Sequence, residues 1–225
     1  MKNPAQAMLV RWSILHAAVM VVTTPVAAAL GRPAISVIPG TASLLGLTVL
    51  HRKQWTPGGS FGAANFTTLI RLAGVGAMVA VAGYVSPYVI TLLGFLLLVS
   101  DGVDGWLARR QDQASTFGEY FDKETDAFLL LTVCLLIASR NLVGPWIVTG
   151  GLYRYLFVLA GRSLKGRRLV EGKSNRGRII YIVTTGLLLL VFLPLPALHL
   201  PLAIIALILL TYSFAGEFWQ VISAG

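Results

Sequence analysis

The sequence predicts an all-α polytopic membrane bundle of about eight transmembrane helices, and three observations predict it. First, 56% of the 225 residues are hydrophobic and 12% are charged, with a mean hydropathy of +0.77. Soluble domains are only about half apolar and about a quarter charged. Second, apolar runs recur along the chain at close to the roughly 20 residues that a spanning helix requires. Third, seven of the nine acidic residues (Asp101, Asp104, Asp112, Glu119, Asp122, Glu124 and Asp126) crowd into the 26 positions from Asp101 to Asp126. The run VITLLGFLLLVS precedes that stretch and AFLLLTVCLLIA follows it, so the acids sit where two membrane-type helices meet a short polar turn. Ionisable groups in or beside spanning helices are costly and by default mark a functional site.

Taken in order, the first helix is expected at about 12–30 and the second at about 34–50, both bland in composition. Lys2, Arg11, an apolar run and PVAAALG also have the outline of a cleavable signal peptide. Thr23, Thr24 and Pro25 interrupt that run, and Gly31, Arg32 and Pro33 suit a tight hairpin between two spans, so a first span is favoured. His51 to Lys53 and the Gly-rich TPGGSFGAAN then form a connector. Further helices are expected at about 62–83, 87–108, 116–139, 142–161, 178–194 and 198–216. In the third, Gly76, Ala80 and Gly83 share a face and predict close approach of a neighbour.

Charge tests this topology. With eight spans and both ends inside, the inside segments hold Lys2, Arg11, Arg52, Lys53, Arg109, Arg110 and the cluster Arg162, Lys165, Arg167, Arg168, Lys173, Arg176 and Arg178. The outside turns hold only Arg32 and Arg140. This is the excess of cations expected of cytoplasmic loops, and it puts the acidic turn on the cytoplasmic side. It also accounts for the net charge of +9 without nucleic acid as a partner. The single cysteine, Cys134, lies in an apolar run, so internal disulfides and cysteine zinc sites are excluded. His16, His51 and His199 are scattered and match no metal-binding spacing.

Two cations lie deep. Arg71 is about 13 Å along the third helix from its cytoplasmic start, and Arg154 about 12 Å from the cytoplasmic end of the sixth, at roughly 1.5 Å per residue. With the carboxylates on the same side, they suggest one polar cavity. At roughly 100° per residue, Asp101, Asp104, Gly105 and Ala108 share one face of the fourth helix. Gly118, Asp122 and Asp126 share one face of the fifth. Four converging carboxylates would repel unless cations neutralised them, and all-oxygen ligands suit Mg²⁺, Mn²⁺ or Ca²⁺. The small residues leave room for a ligand, and Arg109 offers a fork suited to phosphate. Such a site fits metal-dependent chemistry of a diphosphate at the cytoplasmic membrane face. Glu119, Lys123 and Glu124 fall off the main face and read as a solvated helix start, and Asp112 reads as turn.

The pattern Asp101-x2-Asp104-Gly105-x2-Ala108-Arg109-x8-Gly118-x3-Asp122-x3-Asp126 resembles the complete signature of the CDP-alcohol phosphatidyltransferase family. Asn65-Phe66-Thr67-Thr68-Leu69-Ile70-Arg71 resembles the N-x-x-T-x-x-R element that opens that family's first core helix. The resemblance spans about 62–216 and divides the chain into an N-terminal two-helix hairpin and connector, 1–58, and a six-helix core, 59–225. It implies an integral membrane transferase of phospholipid biosynthesis, moving a substituted phosphate from a CDP-alcohol, usually CDP-diacylglycerol, to an acceptor hydroxyl with release of CMP. It further implies two divalent metals, Mg²⁺ or Mn²⁺, held by Asp101, Asp104, Asp122 and Asp126, with Asp126 also the general base. Asn65, Thr68, Arg71, Gly105, Ala108, Arg109 and Gly118 would line the CDP pocket.

The resemblance further implies that the acceptor is a small polar alcohol. Cations from Arg162 to Arg178 suit a phosphorylated acceptor such as glycerol 3-phosphate or inositol phosphate, and suit anionic membrane lipids equally. Gly172-Lys173 resembles the start of the G-K-x-K-T-x-x-Q element of glycerophosphate-using members, but Asn175 and Arg176 replace its second Lys and Thr. Arg154 and Lys173 are the candidate acceptor contacts. Short loops and the lack of a targeting sequence suit a bacterial inner membrane, and a homodimer is compatible with the chain. Two alternatives remain: an intramembrane prenyltransferase acting on a prenyl diphosphate, and a non-catalytic carrier using the intramembrane charges. The aspartate pairs lie too close in sequence for the first, and no internal repeat supports the second.

Overall fold

The computed structural model describes residues 4–110, 114–163 and 175–223, with side chains described at 7–100, 114–161, 176–216 and 218–219. The described residues form eight α-helices: α1 (Pro4–Ala29), α2 (Ala34–Leu50), α3 (Ala63–Val81), α4 (Pro87–Arg110), α5 (Thr116–Ser139), α6 (Val148–Ser163), α7 (Asn175–Leu190) and α8 (Pro196–Ser223). Three stretches, Ala7–Ala29, Ala63–Val81 and Pro196–Gly216, are long and apolar enough to cross a membrane, and Ala34–Leu50 and Pro87–Ser100 are shorter apolar helices. Leu15, Ile38, Val49 and Val99 are each about two-thirds exposed on the outer surface, an apolar exterior that suits lipid better than water.

Local signals account for the helix limits. α1 ends where Gly31 takes a left-handed φ of 61°, letting Arg32 N–H reach back to Ala27 O at 2.9 Å before Pro33 blocks continuation. α5 begins on Ser115, whose hydroxyl accepts from Gly118 N at 3.0 Å, and ends on Asn141 at φ 53°, with Leu142 N donating to Ile137 O at 3.2 Å. Both ends coincide with the expected 116–139. α6 starts six residues later than expected, because Gly144 is extended and Pro145 opens a 3-10 turn, Pro145–Ile147, before the α-helix begins.

α5 is the axis of the bundle. Every residue from Ala127 to Ala138 is buried, enclosed by α1, α2, α3, α6 and α7. A helix apolar on all sides belongs inside. In lipid, helices gain little from the hydrophobic effect and associate through close packing, and the contacts show it: a Cβ on Gly40 of α2 would lie 2.4 Å from the Phe128 ring of α5. The expected small-residue stripe on α3 is corrected. Gly76 and Gly83 face open space, while α4 closes on α3 at Gly74, where a Cβ would lie 2.4 Å from Leu97 Cδ2. The N-terminal helices are not bland appendages either. Trp12 Nε1 donates to Ser43 O at 3.2 Å and Thr24 pairs with Ser36 at 2.9 Å, zipping α1 to α2, and α1 packs on both α5 and α6.

Candidate functional site

The site is built where α3 and α5 run side by side from a common end. Ser115 Oγ donates to Trp55 O at 2.7 Å, and Asn65 Nδ2 donates to Trp55 O at 3.0 Å and to Phe61 O at 2.6 Å, so the connector ties both helix starts together. A Cβ at Gly118 would stand 2.9 Å from Asn65 Oδ1. Gly118 therefore admits Asn65 at this crossing. Thr68, one turn on, is buried and donates to Ala64 O at 3.2 Å.

Two turns beyond Asn65, Arg71 reaches across. Its side chain is 1% exposed, and its Nη2 contacts Asp122 Oδ1 and lies 3.0 Å from Asp126 Oδ1. Asp122 is 36% and Asp126 20% exposed, so the carboxylates line an opening floored by the guanidinium. From α7, Tyr181 donates to the carbonyl of Asp126 at 3.3 Å, tying that helix to the same turn. The expected convergence of Arg71, Asp122 and Asp126 is thus observed. Asp101, Asp104, Gly105, Ala108 and Arg109 lie on the last turns of α4, whose helical backbone is described to Arg110, but their side chains lie outside the described residues. Lys173 and most of the basic loop, together with Asp112, lie outside them as well.

Arg154 is engaged by a different acid, Glu124. Its Nη2 lies 2.8 Å from Glu124 Oε1 and its Nε 3.3 Å from Glu124 Oε2. Glu124, expected at a solvated helix start, is 1% exposed. It accepts a further bond from Ser13 Oγ of α1 at 3.1 Å. The physical reason is angular. Glu124 lies two residues from both Asp122 and Asp126, about 200° around the helix, so it faces the opposite side of α5. Sequence reasoning missed Glu124, Ser13 and Tyr181. The depth of Arg154 was the one available signal, since a deep arginine requires a deep acid.

The carboxylate cluster is separate from a cavity elsewhere in the bundle. A cavity of about 550 Å³ lined by Arg32, Ile35, Val79, Leu136 and Arg140 lies at the other end of the bundle and is lined by no carboxylate. Leu136 is about 21 Å along α5 from Asp122 at roughly 1.5 Å per residue.

An all-helical bundle with apolar spans and paired carboxylates on a central helix defines a class of intramembrane site. Comparison with known proteins narrows it: a sequence model described as CDP-alcohol phosphatidyltransferase matches residues 61–220. The chain belongs to the CDP-alcohol phosphatidyltransferase family. It is 36% identical over 85 residues to the CDP-diacylglycerol–glycerol-3-phosphate 3-phosphatidyltransferase of Blochmanniella floridana, covering 36% of this chain and 45% of that one. It is 40% identical over 83 residues to CDP-diacylglycerol–inositol 3-phosphatidyltransferase 1 of Arabidopsis thaliana, covering 32% and 36%. To the chloroplastic CDP-diacylglycerol–glycerol-3-phosphate 3-phosphatidyltransferase 1 of Oryza sativa subsp. japonica it is 31% identical over 120 residues, covering 51% and 36%. The matched region spans less than half the length of each of these relatives.

Proposed function

We propose that this protein is a membrane-embedded transferase that moves a phosphatidyl group from CDP-diacylglycerol to the hydroxyl of a small polar acceptor, releasing CMP. The observation that carries the proposal is the meeting of Arg71, Asp122 and Asp126 at a half-open mouth between α3 and α5. Two carboxylates on adjacent turns there demand positive charge, and Arg71 supplies some of it. The donor set is all oxygen and fits a hard divalent cation. Asp101, Asp104, Asp122 and Asp126 would hold Mg²⁺ or Mn²⁺, two ions in the full site. When bound, such ions polarise the diphosphate and stabilise the phosphate that leaves with CMP.

The chain's own groups do the rest. Asp126 takes the proton from the acceptor hydroxyl as its oxygen forms a bond to the phosphorus carrying diacylglycerol, and the bond from that phosphorus to the CMP oxygen breaks. Arg71 orients the aspartates and offsets charge in the mouth. Arg109, Gly105 and Ala108 of α4, with Gly118, Asn65, Thr68 and Arg71, line the donor pocket, Asn65 also by holding the α3–α5 crossing. In this reading the hairpin 1–58 precedes a core 59–225 and the mouth faces the cytoplasm from a bacterial inner membrane; the excess of Lys and Arg in the segments expected at that end supports the orientation.

The relatives are named for glycerol 3-phosphate and inositol, so these head the candidate acceptors. Arg154, which also pairs with Glu124, and Lys173 with its basic neighbours are the candidate contacts for an acceptor phosphate. The test is CMP release by purified protein with CDP-diacylglycerol, Mg²⁺ or Mn²⁺, and a panel including glycerol 3-phosphate, inositol phosphate, inositol and serine. Acceptor-dependent CMP with a matching lipid product is expected. Failure to form CMP with any acceptor overturns the reading, and pyrophosphate released from a prenyl diphosphate would replace it with a prenyltransferase.

A further inference from the structure

We propose that the N-terminal hairpin is a working part of the site: Ser13 of α1 and the buried Glu124–Arg154 pair clamp α5 from behind and so position Asp122 and Asp126 at its front. The inference rests on the reading of those two aspartates as metal-holding and catalytic groups. The hairpin precedes the family-matched residues, 61–220, so the clamp couples a segment outside the shared core to the helix that carries the chemistry.

The argument begins with cost. A buried ion pair is weak support for stability, because apolar side chains of similar volume often pack as well or better. What a pair provides beyond apolar packing is direction. From Ala127 to Ala138, α5 is a buried run dominated by aliphatic side chains, whose contacts tolerate rotation and sliding of the helix. Glu124 permits one azimuth only, since both its oxygens are engaged: Oε1 by Arg154 at 2.8 Å and Ser13 at 3.1 Å, Oε2 by Arg154 at 3.3 Å. Because Glu124 lies about 200° from Asp122, setting it to the rear sets Asp122 and Asp126 to the front. His16 of α1 is buried, stacked on Trp12 at 4.9 Å between centroids and edge-on to Tyr155 of α6 at 5.7 Å, which further ties α1 to α6. Arg71 holds the front and Arg154 the back, which leaves α5 little freedom to turn.

The test uses the full chain in nanodiscs, with Mn²⁺ binding followed by electron paramagnetic resonance without substrates, and CMP release resolved into kcat and KM. The double variant Glu124→Leu/Arg154→Leu replaces the pair with apolar groups and removes both of its charges together. It is expected to remain folded, to bind Mn²⁺ about 10–100-fold more weakly, in the range typical of lost supporting contacts around a metal site, and to lose kcat while KM for CDP-diacylglycerol stays within about twofold. Ser13→Ala should shift both readouts the same way by less, and Ser13→Thr should restore them. Wild-type Mn²⁺ affinity per folded molecule in the double variant overturns the proposal. Should that variant not fold, unchanged Mn²⁺ binding in Ser13→Ala overturns it instead. Wild-type protein that binds no Mn²⁺ sinks the reading of the aspartates themselves, while wild-type protein that binds Mn²⁺ without releasing CMP sinks only the proposed reaction.

Discussion

Asp126 and Asp122 sit one turn apart on the same face of α5, yet they are not equivalent: Asp126 is the more enclosed, and α7 reaches its backbone through Tyr181. A base sheltered from water beside the reacting hydroxyl is the more effective one. Asp126→Asn is therefore expected to retain CDP-diacylglycerol binding and to lower kcat by about 10²–10⁴-fold, the usual contribution of a positioned base; turnover at the wild-type rate would remove Asp126 from that role. Asp101→Asn on α4 is expected to raise the Mg²⁺ or Mn²⁺ concentration for half-maximal rate. An unaltered metal titration would argue against ligation there. At this scale the sequence was informative on one side of α5 only. The spacing of Gly118, Asp122 and Asp126 disclosed the front face, whereas the partner of Glu124 lies on α6 and its second partner on α1.

Among the elements, α3 and α5 show how glycine positions divide into those that matter and those that do not. At Gly118 an added Cβ would meet Asn65 Oδ1 at 2.9 Å, and Asn65 is pinned by two hydrogen bonds to the connector. Gly118→Val is expected to cost about 1–3 kcal/mol by overpacking, read as a lower thermal midpoint in detergent, with activity lost as the α3–α5 crossing opens. Gly76 faces open space, so Gly76→Ala should be neutral or stabilising by up to about 1 kcal/mol through helix propensity. A large loss of midpoint in Gly76→Ala would mean that a neighbour packs there. The face shared by Gly76, Ala80 and Gly83 is correct as helical geometry; what periodicity cannot reveal is which neighbour covers a face, and here α4 approaches at Gly74 instead.

For the molecule as a whole, the distribution of cations predicts an orientation that is open to direct measurement. Cys134 is the only cysteine and is buried, so a Cys134→Ala background gives a clean frame for single reporters. Gly58, in the connector near the aspartate end, and Tyr84, in the α3–α4 turn, are both exposed. In intact cells a membrane-impermeant maleimide is expected to label Tyr84→Cys and not Gly58→Cys, and the pattern should invert in inside-out vesicles. The opposite pattern would put the mouth of the site on the outer face.

By itself, the sequence determined the helical class, the limits of helices with strong local punctuation such as α5, and the face shared by Gly118, Asp122 and Asp126 within a family signature. All of these depend on residues within a few turns of one another, where spacing and capping chemistry decide the outcome. Only the tertiary structure decided that α5 is the enclosed axis, that Arg71 serves the aspartates while Arg154 is held behind them by Glu124, and that the hairpin reaches into that arrangement through Ser13. Ser13 and Glu124 are 111 positions apart. A helical period states which residues share a face, but the partner of a buried charge depends on which distant helix packs against that face.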